Sequence, residues 1–411
     1  MEENCYLVTM EFPYFNNETF LENEIKYLSK VYNHVYIFAI NVSRKERVLK
    51  EIPLNVNVYP LGCVVGRKKY LVYSLSGLFD LTKVLKLSLA DLKIKRIVTE
   101  LYFKGRANSV YRKIKKIIKQ NNLNISNATF YSYWFLDQAI AVWRLKNEYL
   151  KEGNKVKAVS RAHGYDLYWE RSRTQYIPYQ EISLKNLDGV YCCSENGKCY
   201  LKKKYPNQKE KIHISRLGTC NWGVGSYLPE KKVFVTCSSL IALKRITLFA
   251  EAFVKLSKTV LNCYWICIGN GEEFEKIRQI VSQNNISERV KFTGAISNKE
   301  VLEIYKNEPI TYFCNISTSE GVPVSIMEAM SFGIPIIATD AGGTSELVSD
   351  EIGKIIPINI DSNELSNMLR EQLEIDDELY RKKRENARKQ WNNIASAEKN
   401  YGEWISILKN I

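Results

Sequence analysis

The sequence predicts an α/β protein with two doubly wound domains, each a parallel β-sheet covered by helices. Apolar, strand-like runs alternate with helical segments in two successive series, and unusual polar residues follow the strands. A stretch with two glycines and Pro229, residues 219–232, separates the two series and is the predicted linker. A chain of 411 residues is long enough for two domains that each bury a core.

The first series begins with a buried strand at residues 5–10 and a loop that contains Pro13, Asn16 and Asn17. A helix through Phe20 and Leu28 follows, and strand–loop–helix–strand is the start of a parallel α/β layer. The other predicted strands of this series are residues 34–40, 56–59, 129–134, 155–160 and 189–193. Helices are predicted within residues 66–119 and at 136–150.

The second series repeats this order. Its predicted strands are residues 233–237, 262–268, 290–292, 310–314 and 336–339. Its predicted helices are residues 246–256, 273–284 and 300–306, a short apolar run that ends at Gly333, and a last helix over 391–411. The predicted domains are therefore residues 1–222 with 394–411, and residues 223–393.

The composition is that of a soluble globular protein, with 45% hydrophobic and 25% charged residues. The acidic and polar first residues do not resemble a signal peptide, and no run approaches the roughly 20 apolar residues of a spanning helix. Ten scattered cysteines are expected to stay reduced in the cytoplasm, and the spacing of Cys192, Cys193 and Cys199 fits no zinc pattern.

The formal net charge of +14 has two interpretations. It indicates an anionic partner, namely nucleic acid, acidic lipid or a phosphorylated substrate, or it reflects a lysine-rich composition with no single target. The basic segment 67–119 also has two interpretations, one functional and one structural. Its part 104–119 has seven basic residues and no acidic one, with Val110, Ile114, Ile117 and Ile118 on one helical face. This helix lies on an anionic membrane surface, or its apolar face packs in the domain core.

Polar clusters follow the strands of the second series, where open parallel sheets bind ligands. Adjacent cations, glycine-rich backbone and two carboxylates suit a charged, hydroxyl-rich ligand such as a nucleotide sugar, with cations on the diphosphate and a carboxylate on a diol. The clusters are Ser238–Ser239 with Lys244 and Arg245, Gly269–Gly271, Ser317–Glu320 and Thr339–Glu346.

Glu320 and Glu328 flank the start of a short helical run, whose N-terminus favours an anion. They could form a glycosidase pair, but eight helical residues span about 12 Å, beyond the roughly 5–9.5 Å of hydrolase carboxyl pairs. A purely structural alternative is that Glu320 caps the helix and Glu328 faces solvent.

The stretch from Glu320 to Glu328, with Ala329-Met330, Gly333-Ile334-Pro335 and Gly342-Gly343-Thr344-Ser345-Glu346, resembles the retaining glycosyltransferases of family 4. The resemblance covers nearly the whole chain. It implies the GT-B fold, in which two Rossmann-like domains face each other across a cleft. It also implies transfer of a sugar from a nucleotide sugar, with a UDP-sugar expected, to an acceptor hydroxyl with retention of configuration.

The resemblance assigns roles on the donor side. Lys244 matches the family's phosphate-binding lysine, and Arg245 is expected to add a second charge because Ser239 stands where the family usually has an arginine. Glu320 would hold the donor sugar and Glu328 the ribose diol. The remaining expected donor-binding residues are Gly269, Gly271, Phe292, Gly321, Val322, Pro323 and Val324. No cofactor or metal is expected, because the cations and the helix dipole stabilise the departing diphosphate.

On the acceptor side, residues 160–168 resemble the histidine segment of a bacterial polysaccharide subgroup, which implies that His163 lies near the sugar and the acceptor. A histidine bonded only to backbone is the alternative. Arg161, Asp166 and Asn17 are further acceptor-side candidates, with turn-making as the alternative for Arg161 and Asp166. The first loop, residues 13–20, has no glycine where the family often has several.

The expected acceptor is a glycan or a polyprenyl-phosphate-linked glycan in bacterial surface polysaccharide (capsule) synthesis, at the inner face of the plasma membrane. The basic segment 67–119 would meet that surface. Three alternatives stay open: a GT-B sugar-nucleotide epimerase, a non-catalytic partner subunit of another transferase, and a nucleic-acid-binding protein prompted only by charge.

Overall fold

The computed structural model describes residues 2–15, 18–43, 45–48, 50–66, 68–78 and 94–411. The chain forms two compact units. The first consists of residues 1–216 and 401–411, and the second of residues 217–400. The first boundary, after residue 216, lies six residues before the one predicted from the sequence. The second boundary, after residue 400, lies seven residues beyond the predicted one.

The first unit is built on a seven-stranded sheet in which every neighbouring pair is parallel. Its strands are β1 (Asn4–Thr9), β2 (His34–Ala39), β3 (Val56–Pro60), β4 (Asn127–Ser132), β5 (Lys155–Ala162), β6 (Gly189–Cys192) and β7 (Ile212–Ile214). Their order is β3-β2-β1-β4-β5-β6-β7. The order reverses between β1 and β4, so the loops after these two strands diverge and leave the crevice where such sheets bind ligands.

Helices cover this sheet: α1 (Leu21–Val31), α2 (Lys68–Leu78), α3 (Ile94–Gln120), α4 (Asp137–Lys151), α5 (Gln180–Asn186) and α6 (Glu195–Lys204). Two glycines let α2 and α3 pack closely. A Cβ on Gly105 would lie 1.9 Å from the carbonyl oxygen of Tyr73, and one on Gly77 would lie 2.1 Å from that of Leu101. Only glycine permits such backbone contact.

The apolar face of α3 belongs to the core of the first unit. Val110 and Ile114 are fully buried there. On the same helix, Lys113 donates to the carbonyls of Leu61 and Gly62, and Lys115 pairs with Glu148. The structure thus bears out the interpretation that this face packs in the domain core, and it excludes this face as the part of segment 67–119 that would contact a membrane.

The second unit repeats the architecture with six parallel strands, β8 (Lys232–Cys237), β9 (Cys263–Ile268), β10 (Val290–Gly294), β11 (Ile310–Asn315), β12 (Ile336–Thr339) and β13 (Gly353–Ile356). Their order is β10-β9-β8-β11-β12-β13, so the reversal lies between β8 and β11. The helices are α7 (Ile246–Ser257), α8 (Phe274–Gln283), α9 (Asn298–Asn307), α10 (Val324–Ser331), α11 (Ser362–Leu373) and α12 (Asp377–Ile394).

The helix predicted over residues 391–411 is in fact two helices. Helix α12 ends at Ile394 and α13 (Ala397–Asn410) begins three residues later. Thr219 interrupts the helical backbone, because its N–H donates to the carbonyl of Ala395 and its carbonyl accepts from the N–H of Ala397. These two bonds replace helical ones at the break. Helix α13 then passes from the second unit into the first between Asn400 and Tyr401.

The sequence patterns also missed β7, β13, α5, α11 and the part of α12 before residue 391, which lie in stretches left without an assignment. All ten cysteines are free thiols. Within the described ranges, no three His, Cys, Asp or Glu side chains come together as metal ligands, and no helix is long and apolar enough to cross a membrane.

Candidate functional site

Three loops meet at the carboxyl edge of the second sheet, after β8, β11 and β12. The N–H of Thr318, after β11, donates to the carbonyl of Leu243, after β8, over 3.0 Å. The N–H of Gly343, after β12, donates to the carbonyl of Gly321 over 2.8 Å. These backbone bonds hold the predicted donor-binding segments against one another, at the place that the strand order predicts for a ligand.

Lys244 and Glu320 form an ion pair at this edge. The Lys244 Nζ lies 2.6 Å from Glu320 Oε1, and the side chains are 22% and 10% exposed. Asn315, the last residue of β11, donates its side-chain amide to the same carboxylate oxygen over 3.2 Å. The N-cap residue of α10 is Pro323, whose side chain makes no capping hydrogen bond. Glu320 therefore joins two strand-end loops.

Arg245 does not join this pair. It occupies the left-handed region, with φ +53°, and precedes α7. Its guanidinium donates to the carbonyl of Ile358 and, over 2.8 Å, to that of Ile360. Burial lowers its pKa. The prediction that Arg245 supplies a second phosphate-binding charge beside Lys244 is corrected: two carbonyls before α11 take up that charge.

Glu328 lies on α10, half-buried, and is held from a neighbouring helix. The Asn298 side-chain amide, in the first turn of α9, donates to Glu328 Oε1 over 2.7 Å. Burial and the charge of Glu328 raise the pKa of the Cys237 thiol, at the end of β8, to about 12. Glu328 thus points to the carboxyl edge of the sheet and not simply to solvent.

The other predicted donor-side residues lie around this pair. Gly269 and Gly271 follow β9, and a Cβ on Gly269 would stand 1.9 Å from the carbonyl oxygen of Ser238. The loop after β8 by itself therefore requires glycine at 269. Ser239 is exposed, and Phe292 is half-buried with its ring against Trp265 and Phe274. Gly321, Val322, Pro323 and Val324 form the entry to α10, where backbone N–H groups suit an anion.

In the first unit, the loop after β1 is folded around a buried carboxylate. Glu18 accepts hydrogen bonds from the backbone N–H groups of Met10, Glu11 and Phe12 over 2.7–3.0 Å. The Trp134 indole also donates to Glu18, over 2.6 Å. The N–H groups that a glycine-rich loop would offer to a phosphate are thus taken by the chain's own carboxylate. No sequence pattern singles out Glu18.

His163 follows β5 within a group of aromatic rings. Its ring centroid lies 4.5 Å from that of Trp134 and 4.7 Å from that of Tyr133. Its Nδ1 is 3.7 Å from the Asp166 carboxylate. Burial opposes protonation of the ring, but Cys193 and Asp166 outweigh it and raise the pKa of His163 to about 10. His163 is therefore not simply bonded to backbone.

Arg161 and Asp166 cannot meet an acceptor directly, because both are fully buried. The Arg161 guanidinium pairs with Glu24 at 3.3 Å and donates to the Tyr131 hydroxyl and the Ser215 carbonyl. The Asp166 carboxylate accepts from the N–H groups of Phe135, His163 and Gly164. The prediction that Arg161 and Asp166 contact the acceptor is therefore wrong, and both residues have structural roles. Asn17 lies outside the described residues.

Comparison with known proteins relates the second unit to glycosyltransferases. Residues 226–390 match the family model of glycosyl transferases group 1. The N-acetyl-alpha-D-glucosaminyl L-malate synthase of Bacillus anthracis is 24% identical over 315 residues, which cover 73% of this chain and 78% of that protein. The GtfA subunit of a UDP-N-acetylglucosamine–peptide N-acetylglucosaminyltransferase from Streptococcus agalactiae is 27% identical over 218 residues, covering 50% of this chain and 42% of the subunit.

The chain spans less than half the length of the two GtfA subunits that it matches. Solved structures resemble it along its whole length. A sucrose-phosphate synthase from Thermosynechococcus elongatus aligns with a TM-score of 0.73 at 14% identity over 100% of this chain and 99% of that one. Anabaena HepE, in complex with UDP and glucose, aligns with a TM-score of 0.65 at 13% identity over 99% and 100%. At this identity the likeness concerns the fold, and it confirms the two Rossmann-like domains of the predicted GT-B class.

Proposed function

We propose that this chain, whose residues 226–390 are a domain of the glycosyl transferases group 1 family, is a retaining glycosyltransferase. It moves a sugar from a UDP-sugar to a hydroxyl of a glycan or lipid-linked acceptor in bacterial surface polysaccharide synthesis. The observation that carries the proposal is the Lys244–Glu320 pair, at the carboxyl edge of the second sheet and beside the start of α10. The names of the similar proteins support it, because several of these names refer to N-acetylglucosamine.

The leaving group gains negative charge as the glycosidic bond breaks. Lys244 and the backbone N–H groups at the start of α10 would stabilise the departing diphosphate. These contacts strengthen as charge develops, so they lower the barrier more than they tighten ground-state binding. Glu320, held by Asn315, would accept hydrogen bonds from the donor sugar and place its anomeric carbon.

The nucleoside would be held by Glu328. A carboxylate accepts two hydrogen bonds at once, as a ribose diol requires. Asn298 fixes one of its oxygens and so sets the orientation of the other. Phe292 remains the proposed neighbour of the base. His163, whose raised pKa favours the charged ring, would contact the sugar or the acceptor from the first unit.

We propose further that transfer needs no divalent metal, because Lys244 and the α10 N-terminus supply the positive charge that a metal would supply. Activity should then be unchanged in the presence of excess EDTA. A rate that falls with EDTA and returns with Mg²⁺ would refute this part of the proposal.

The proposed place of action is the cytoplasmic face of the plasma membrane. The contact with anionic lipid would come from the basic segment 67–119. Exposed apolar side chains lie in its first part, although the face of α3 around Ile114 is buried. These side chains are Tyr70, Leu71, Val72, Leu75, Leu78, Ile94 and Val98. Pelleting with anionic liposomes, and not with neutral ones, is the expected result.

The decisive experiment is a donor screen on the purified protein, read as released nucleoside diphosphate with and without acceptor extracts. Acceptor-dependent release that Lys244→Ala abolishes supports the proposal. Isomerised nucleotide sugar without acceptor would identify an epimerase instead. Failure to bind any nucleotide sugar would identify a non-catalytic partner.

A further inference from the structure

Two adjoining hollows in the first unit differ in the share of apolar side chains that line them. The first, here the aromatic cavity, has a volume of about 630 Å³ and lies between α2, the start of α3 and the segment 165–177. Five aromatic side chains line it, together with aliphatic residues such as Val98 and Ile177. The aromatic residues are Tyr70, Tyr102, Phe103, Tyr165 and Tyr176.

The second, here the cationic hollow, has a volume of about 690 Å³ and shares part of its lining with the aromatic cavity, including Lys95 and Arg173. Its charged lining residues are three cations, Lys95, Arg96 and Arg173, and one carboxylate, Glu170. Glu170 accepts a hydrogen bond from Tyr200 over 3.0 Å. The excess of positive charge favours an anionic group there.

Three hydroxyl groups along the aromatic cavity already donate within the protein. Tyr176 donates to Glu100 over 2.6 Å, Thr99 donates to the carbonyl of Lys95 over 2.7 Å, and Thr174 donates to the carbonyl of Tyr176 over 3.2 Å. A sugar or a peptide backbone enclosed there would find these three donors already engaged, and each polar group left without a partner is costly. A hydrocarbon chain needs no such partners and gains from leaving water.

We propose that the two hollows together form a binding site for a single-chain lipid phosphate. Its hydrocarbon chain fills the aromatic cavity, and its phosphate lies in the cationic hollow near Lys95, Arg96 and Arg173. The site is separate from Lys244 and Glu320, which belong to the second unit, and does not depend on the transfer reaction. It differs from a membrane-surface contact because it encloses one lipid molecule.

The test measures binding of farnesyl phosphate to the full chain by calorimetry, with no donor present and below the concentration at which the lipid forms micelles. Saturable binding is expected. Val98→Asp introduces a charge into the aromatic cavity, and Arg173→Glu reverses one in the cationic hollow. Each should weaken binding about tenfold or more. Leu150→Asp on α4 and Lys209→Glu are matched controls, exposed and absent from both linings, and should change binding less than twofold.

Farnesol and inorganic phosphate separate the two halves of the site. Farnesol should bind about tenfold more weakly than farnesyl phosphate, and phosphate alone should not displace the lipid. Equal binding of farnesol would overturn the role of the cationic hollow. Unchanged affinity in Val98→Asp, or binding only to anionic liposomes, would overturn the enclosed site. Thermal unfolding of each variant confirms that it is folded, and transfer with a water-soluble acceptor reports separately on the proposed function.

Discussion

The ammonium group of Lys244 lies 2.6 Å from a carboxylate oxygen of Glu320, although 76 residues separate them in the chain. A diphosphate bound to Lys244 must therefore share that cation with Glu320 or displace it. The same pair that would bind the donor thus contains a competitor for the donor's charge, and this can be measured.

Glu320→Gln should separate binding from transfer. Removal of the negative charge leaves Lys244 more available to a diphosphate, so UDP should bind about three- to tenfold more tightly by calorimetry. Transfer should fall at least about a hundredfold, because the sugar loses a charged acceptor. Lys244→Ala should lose both UDP affinity and transfer. Equal UDP affinity in Glu320→Gln and in the unchanged protein would show that the pair does not compete for the donor.

Asn298→Ala should reduce discrimination for ribose without destroying the site. With one oxygen of Glu328 no longer fixed, the preference for UDP over 2′-deoxy-UDP as inhibitor should fall from about 10–100-fold towards unity. The KM for the donor should rise several-fold while kcat changes little. Lys299→Ala, at the neighbouring exposed position, is the control and should keep the preference. If Asn298→Ala keeps the preference for UDP over 2′-deoxy-UDP, then Glu328 does not bind the ribose.

Arg161→Met should affect stability and not transfer. The change leaves Glu24 as a fully buried carboxylate without its cation, at a cost of about 3–5 kcal/mol in the free energy of unfolding. Urea denaturation measures this, and adding Glu24→Gln should restore part of the loss. The kcat/KM of the folded fraction should stay within about twofold. A large fall in kcat/KM with normal stability would return Arg161 to the acceptor side.

His163→Gln should destabilise the protein in a pH-dependent manner. The pKa of the folded histidine, about 10, lies above its ordinary value near 6.5. Its contribution is therefore complete below about pH 6.5 and disappears as the pH rises towards 10. At pH 6 the free energy of unfolding of the variant should be about 1–3 kcal/mol lower than that of the unchanged protein. At pH 9.5 the difference should be much smaller.

His213→Gln provides a control of opposite sign. Burial and the nearby Lys202 lower the pKa of His213, so the neutral ring is favoured in the folded state. Protonation of the unfolded chain below about pH 6.5 then costs stability, and removing His213 should relieve that loss. Equal pH profiles for the two variants would contradict both assignments.

The sequence predicted most of the architecture, because parallel strands buried on both faces appear as continuous apolar runs. It also located Lys244, Glu320 and Glu328 on the loops and the short helix where they lie. It did not predict the destination of a long side chain. Arg245 follows Lys244 directly, yet its left-handed backbone turns it towards the carbonyls of Ile358 and Ile360.

The partners of the site residues were not evident for the same reason. Asn298 stands next to Ser297 in a capping pattern with Glu300, which predicts a helix start but not the carboxylate that its amide meets. In the sequence, Glu18 is one acidic residue in a predicted loop. Only the fold shows that three backbone N–H groups donate to its carboxylate. Tertiary hydrogen bonds of this kind leave no periodic signal in a sequence.

The passage of α13 from one unit to the other has a consequence for biosynthesis. Trp404 on this helix donates to Glu24 over 2.8 Å and packs against Tyr131 and Tyr191, in the core of the first unit. Residues 401–411 leave the ribosome only after the whole of residues 217–400. The domain that is translated first therefore completes its core last, because the core position of Trp404 stays unfilled until residues 401–411 have been made.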